Sequence, residues 1–89
     1  MWDMKLWFTG VIVQVYDRIT GKGLKGAKIE GSAQYGNNEL IISDFEGITN
    51  DDGVLYCQFY QFDNVNLQLN ALKITLSDGT VVVDYERGG

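Results

Sequence analysis

Asn50, Asp51 and Asp52 stand directly ahead of Gly53 and place three oxygen-bearing side chains on one short turn. Ca²⁺ takes this kind of ligand. The spacing of an EF-hand loop and its distal bidentate glutamate are missing, so the three are weak calcium candidates and read first as a hydrogen-bonded Asx turn. Asp44 and Glu46 are the carboxylates that could join them. Asp17, Asp63 and Asp84 are the candidates for the paired carboxylates of glycoside hydrolysis, which need a cleft holding them roughly 5–10 Å apart. Each falls at a turn or a strand edge, where solvation is the ordinary fate. Trp2, Trp7, Tyr35, Tyr56 and Tyr60 could stack on sugar rings.

Histidine is absent from the 89 residues. That removes His-based acid–base catalysis, the usual nucleophilic triads and the commonest zinc ligand. The single cysteine, Cys57, cannot form an internal disulfide. It lies in an apolar strand pattern and reads as a small buried hydrophobe, since a reactive thiol needs an exposed, electropositive setting. Twelve acidic residues against seven basic give a net charge of −5, which argues against nucleic acid as the main partner. No catalytic residue, no cofactor and no metal centre beyond the weak calcium candidates is expected.

The elements that carry these residues read as strands throughout. At residues 11–16 (VIVQVY) the two-residue period of a strand appears, with both faces largely apolar. Residues 17–26 hold three glycines, an aspartate and two lysines, which is turn chemistry, with Leu24 tucked beneath. Residues 27–34 form the next strand, and Gly31-Ser32 inside it suggests a bulge. After the YGNN turn at 35–38 come a strand at 39–45, a short edge strand at 47–50 and the Asp51-Asp52-Gly53 turn. Residues 54–62 (VLYCQFYQF) make the longest strand, with Leu55, Cys57 and Phe59 on the core face and Val54, Tyr56, Tyr60 and Phe62 on the other. Leu67–Leu76 changes phase, which a bulge or corner near Asn70 to Leu72 would reconcile. Asp78-Gly79 is the strongest hairpin signal, leading into residues 80–86.

The N-terminal run is broken by Thr9 and Gly10, and Asp3 spoils a positive n-region, so it reads as an edge strand at 5–9 rather than a signal peptide. No stretch is long enough to cross a membrane as a helix. A chain made in the cytoplasm, including a virion protein, or a piece of an exported one is the expectation.

Val13-x-Val15-x-Asp17, then Thr20-Gly21-Lys22-Gly23-Leu24-Lys25-Gly26-Ala27-x-Ile29, resembles the opening of the carboxypeptidase regulatory-like domains. Thr49-Asn50-Asp51-Asp52-Gly53-x-Leu55 resembles their second turn, and both come in the family's order. The resemblance covers about two-thirds of the chain, and the two motifs themselves fall between Val13 and Leu55. Such turns recur in transthyretin and in collagen-adhesin B-type repeats. The resemblance implies a seven-stranded Ig-like or prealbumin-like β-sandwich and no single activity, since these domains are mostly spacers, stalks and interaction modules. The family's aromatic–glycine pair after the sixth strand is missing. Lys5 and Asn70 are candidates for the adhesin relatives' Lys–Asn isopeptide, and no matching motif surrounds them. Tyr85-Glu86-Arg87-Gly88 resembles the tail of the transthyretin-like hydroxyisourate hydrolases, but Glu86 interrupts the motif and the histidines those enzymes need are missing.

The chain is thus expected to be one all-β domain over residues 1–89, with residues 1–10 as an N-terminal arm or edge strand. The expected function is a non-enzymatic structural or interaction module in a homo-oligomer or larger assembly, of the virion-accessory or surface-stalk type. Its interface candidates are Trp2, Trp7, Tyr16, Tyr56, Tyr60 and Phe62. The alternative is a carbohydrate or small-ligand module that uses exposed aromatics. Protein partners are expected, with no nucleic acid and no membrane insertion.

Overall fold

In the two-residue alternation of Val11, Val13 and Val15 each valine is fully buried, while Ile12, Gln14 and Tyr16 between them are half-exposed. This row is one wall of the core. A computed structural model of the chain describes residues 2–7, 10–35, 41–58 and 68–88. Within them lie seven strands: β1 (Trp2–Trp7), β2 (Gly10–Val15), β3 (Lys28–Tyr35), β4 (Ile41–Ile48), β5 (Val54–Gln58), β6 (Gln68–Thr75) and β7 (Val81–Glu86). They form two antiparallel sheets, one ordered β1-β2-β5 and the other β4-β3-β6-β7. The all-β, two-sheet architecture expected from the sequence is present. β1 is an edge strand, paired with β2 from Trp2↔Val15 to Trp7↔Gly10, and starts earlier than expected.

The core between the sheets is mostly aliphatic. Val11, Val13, Val15 and Cys57 come from the first sheet; Ile29, Ala33, Phe45, Leu72 and Ile74 come from the second, and Ala27 stands just before it. Leu55 packs on the edge of this cluster. On β5, Cys57 faces in and Tyr56 faces out at 64% exposure, as the strand period requires. Phe59, Tyr60 and Phe62 fall outside the described residues.

Two details correct the sequence reading. β3 carries no bulge at Gly31: it pairs with β4 without a break from Lys28↔Ile48 to Tyr35↔Ile41. Gly31 is needed for another reason. It stands directly opposite Phe45, and a Cβ there would lie 2.2 Å from the Phe45 ring. The ring covers the bare glycine backbone and stays 94% out of water, an arrangement of aromatic over glycine that supports a strand glycine. The second correction concerns residues 39–50. A strand and a separate edge strand were expected; one strand, β4, runs from Ile41 to Ile48. Gly47 does not break it, because the ladder to β3 continues there, and Leu55 of β5 fills the space beside it.

The phase change in β6 is a bulge, as its apolar pattern implies. Ser32 pairs with Ala71 and Ala33 with Leu69, so Asn70 is an extra residue and Leu69 returns to the side of Leu72. The β6–β7 hairpin closes through Leu76 N–H to the Thr80 carbonyl at 2.8 Å, with Gly79 at φ 92°. A second bulge falls at Val82, between the Ile74↔Val83 and Thr75↔Val81 pairs.

Ile29 is fully buried between the sheets. Ile29→Ala should lower stability by about 2–5 kcal/mol, read by urea denaturation. Ile42→Ser, at a position 61% exposed on the outer face of β4, should change it by less than about 0.5 kcal/mol.

Candidate functional site

The two turn motifs lie side by side at one end of the sandwich. In the first, the Asp17 carboxylate accepts the backbone N–H groups of Ile19 at 2.8 Å and Thr20 at 3.0 Å. Gly21, at φ 74°, donates its N–H to the Asp17 carbonyl, and Asp17 N–H reaches the Lys22 carbonyl, both at 2.8 Å. In the second, Asn50 Oδ1 accepts N–H from Asp52 at 2.9 Å and from Val54 at 3.0 Å. The side chains that mark these turns in the sequence therefore hold backbone amides.

The turns are locked together. Val15 N–H donates to the Gly53 carbonyl, and Leu24 N–H to the Val15 carbonyl, each at 2.8 Å. A Cβ on Gly23 would lie 2.0 Å from the Asp52 carbonyl oxygen, and one on Gly53 would lie 2.3 Å from that of Val15. Only glycine lets the two backbones come this close. Thr49 ties the crossing to the start of β3. Its hydroxyl accepts the Ala27 N–H at 2.9 Å and donates to the Leu24 carbonyl at 2.7 Å, and the side chain is buried. Thr49 opens the second turn motif, but its bridging role depends on Leu24 and Ala27, more than twenty residues away in the chain.

The calcium candidates do not converge. Asn50 Oδ1 is engaged in its own turn, and the Asp51 carboxylate pairs with Lys25 Nζ at 3.0 Å on the surface. Among the described residues, no group of three acidic, cysteine or histidine side chains is placed to hold a metal ion. Asp17 and Asp84 do not form a pair either: Asp17 caps a loop, Asp84 lies on β7, and Asp63 is outside the described residues. Lys5 is on β1 and Asn70 on β6, in different sheets. Tyr35 ends β3. Burial pushes the Cys57 thiol pKa up, which holds it in the unreactive protonated form.

Of the interface candidates, Tyr56 is exposed on the outer face of the three-stranded sheet, directly across from half-buried Ile12. Tyr16 is half-buried at the interlocked turns. Trp2 and Trp7 are placed as strand residues of β1, opposite Val15 and Gly10; their side chains, with Tyr60 and Phe62, lie outside what is described.

Two surface features depend on register and were invisible in the sequence. The outer face of the four-stranded sheet aligns Glu46, Glu30, Lys73 and Asp84 in one row and Asp44, Ser32, Ala71 and Glu86 in the next. Adjoining depressions of about 420 and 330 Å³ lie over Gly31 among these groups. At the end of the sandwich an apolar cleft of about 250 Å³ opens between Tyr16, Leu24, Leu76 and Val82, with Asp17, Arg18 and Ile19 at its rim.

No protein-family model matches the chain. Neither the curated proteins nor the solved structures give a match.

Thr49→Val removes the hydroxyl and strands the Ala27 N–H in a buried setting; a loss of about 1–3 kcal/mol is expected in urea denaturation. Gly53→Ala, at φ 76° and against the Val15 carbonyl, should cost more than about 1 kcal/mol. The backbone N–H groups of Thr20 and Ile19 hold the Asp17 carboxyl below its ordinary pKa, and Thr80 does the same for Asp78. Both groups bind a proton more readily in the unfolded chain. Their stabilising effect is therefore complete above the ordinary carboxylate range, near pH 4, and is lost as pH falls through the lowered values. Thermal melts between pH 7 and pH 2 should show a smaller acid loss in the Asp17→Asn, Asp78→Asn chain than in the native one.

Proposed function

We propose that this chain is a non-enzymatic interaction module that works through protein–protein contacts in a homo-oligomer or larger assembly. The observation that carries the reading is the Ile12–Tyr56 pair on the outer face of the three-stranded sheet, with the tyrosine ring 64% exposed. Apolar side chains that adjoin on a solvent-facing sheet, as these two do, are the start of a patch that a partner can cover. Ile42 and Ile48 on the other sheet, and Ile19 at the end, add to the exposed apolar surface. The lack of histidine supports a non-catalytic role, as does the use of Asp17 and Asn50 in holding turns.

The closer fold assignment belongs to this proposal as well. Two glycine-bearing turns, met in the order of the carboxypeptidase regulatory-like domains and packed against each other, support an Ig-like or prealbumin-like sandwich of that type. Domains of that kind are mostly spacers, stalks and interaction modules. A carbohydrate module needs several rings on one surface, and among the described side chains Tyr56 is the single ring on its sheet face.

Sedimentation velocity over about 10–500 µM tests the reading. The native chain should sediment faster as concentration rises, and Tyr56→Ser should weaken association about tenfold, equal to about 1.4 kcal/mol. A native chain that stays monomeric across the whole range would overturn it.

A further inference from the structure

Ile19 is 95% exposed, yet it sits at the rim of the apolar cleft formed by Tyr16, Leu24, Leu76 and Val82. It does not fill that cleft. Its turn is not slack: the Asp17 carboxylate, the Gly21 N–H and the Tyr16↔Gly23 bridge fix the backbone on both sides of it. A rigid projection therefore stands beside a hollow of matching character. Charge follows the same pattern. Asp17 and Arg18 are neighbours on this rim, and neither forms an ion pair among the described residues.

A patch that carries both a knob and a hollow, and both a cation and an anion, is self-complementary. Such a patch suits a twofold contact, in which residue i of one copy meets residue j of the other and the reverse. We infer that two copies of this chain meet end to end here, with Ile19 of each entering the cleft of the other and Arg18 of each facing Asp17 of its partner. The inference rests on the self-association reading above and assigns it a second, separate surface. Pre-fixing of the turn lowers the ordering cost of the contact. The patch is small, and interfaces below about 1,200 Å² are typically weak and transient. Association through it belongs at high micromolar concentration.

The test uses the Tyr56→Ser chain, in which the sheet-face contact is weakened, by sedimentation velocity from about 10 µM to 1 mM. The chain should form dimers and go no further. Adding Ile19→Asp should weaken dimerisation at least tenfold, and so should Val82→Trp, which fills the cleft. Ile19→Asp changes an exposed side chain and should leave the urea midpoint unmoved, so loss of the dimer cannot be laid to unfolding. Backbone amide shifts that move on dilution should map to residues 16–24, 76 and 82. If the Tyr56→Ser chain is already monomeric while the native chain associates, this inference falls and the assembly reading stands. Dimers that persist in both Ile19→Asp and Val82→Trp overturn it in the same way. A native chain that is monomeric throughout sinks both.

Discussion

The structure depends on two chain crossings that satisfy each other. The segment from β2 to β3 leaves the first sheet for the second, and the segment from β4 to β5 returns. Between strands, backbone N–H and C=O groups lose their ladder partners and must find others. Here the outgoing and returning crossings run alongside each other at one end: Val15 N–H donates to the Gly53 carbonyl, Gly26 N–H to the Thr49 carbonyl and Thr49 N–H to the Ala27 carbonyl across the gap. Gly23 and Gly53 set the separation, and the Thr49 hydroxyl meets the Ala27 and Leu24 backbone groups.

Much of this was legible because its causes are local. Alternating valines, Asx residues and positive-φ glycines act within a few residues of themselves, and a phase change in the apolar pattern of β6 calls for a bulge or a corner close by. Gly31 was misread for the opposite reason. Its cause is the ring of Phe45, fourteen residues on and opposite it in the ladder, and nothing near Gly31 reports that ring. The same holds for Thr49, for the cleft between Leu24 and Val82, and for the carboxylate rows across four strands. Each exists only after register is set.

The division of labour among side chains follows from this. Asp17, Asn50 and Asp78 look like chemistry in the sequence, and each accepts backbone N–H groups in a turn. The core between the sheets is built mostly from aliphatic side chains and is closed. Among the described residues, the surfaces open to another molecule include two sheet faces and the turn end.

Those three surfaces are not equivalent for meeting a like copy. The outer face of the four-stranded sheet carries Glu30, Asp44, Glu46, Asp84 and Glu86 against Lys28 and Lys73, and Glu30 faces Glu46 directly across the ladder. Like charges opposed in a ladder cost stability, and the Lys28–Glu30 contact at 3.9 Å offsets only part of it. Two such faces would repel each other, and charges along an edge strand such as β4 oppose strand-to-strand pairing. Ile42 and Ile48 are exposed there, but they flank Asp44 and Glu46, so burying them against an identical face would also bury carboxylates without partners. Tyr56 stands beside Ile12, and Ile19 beside an apolar cleft with one charge of each sign. Exposed apolar side chains are thus flanked by carboxylates along β4, while on the three-stranded sheet Tyr56 and Ile12 share a row with Lys5 of β1, a cation rather than an acid.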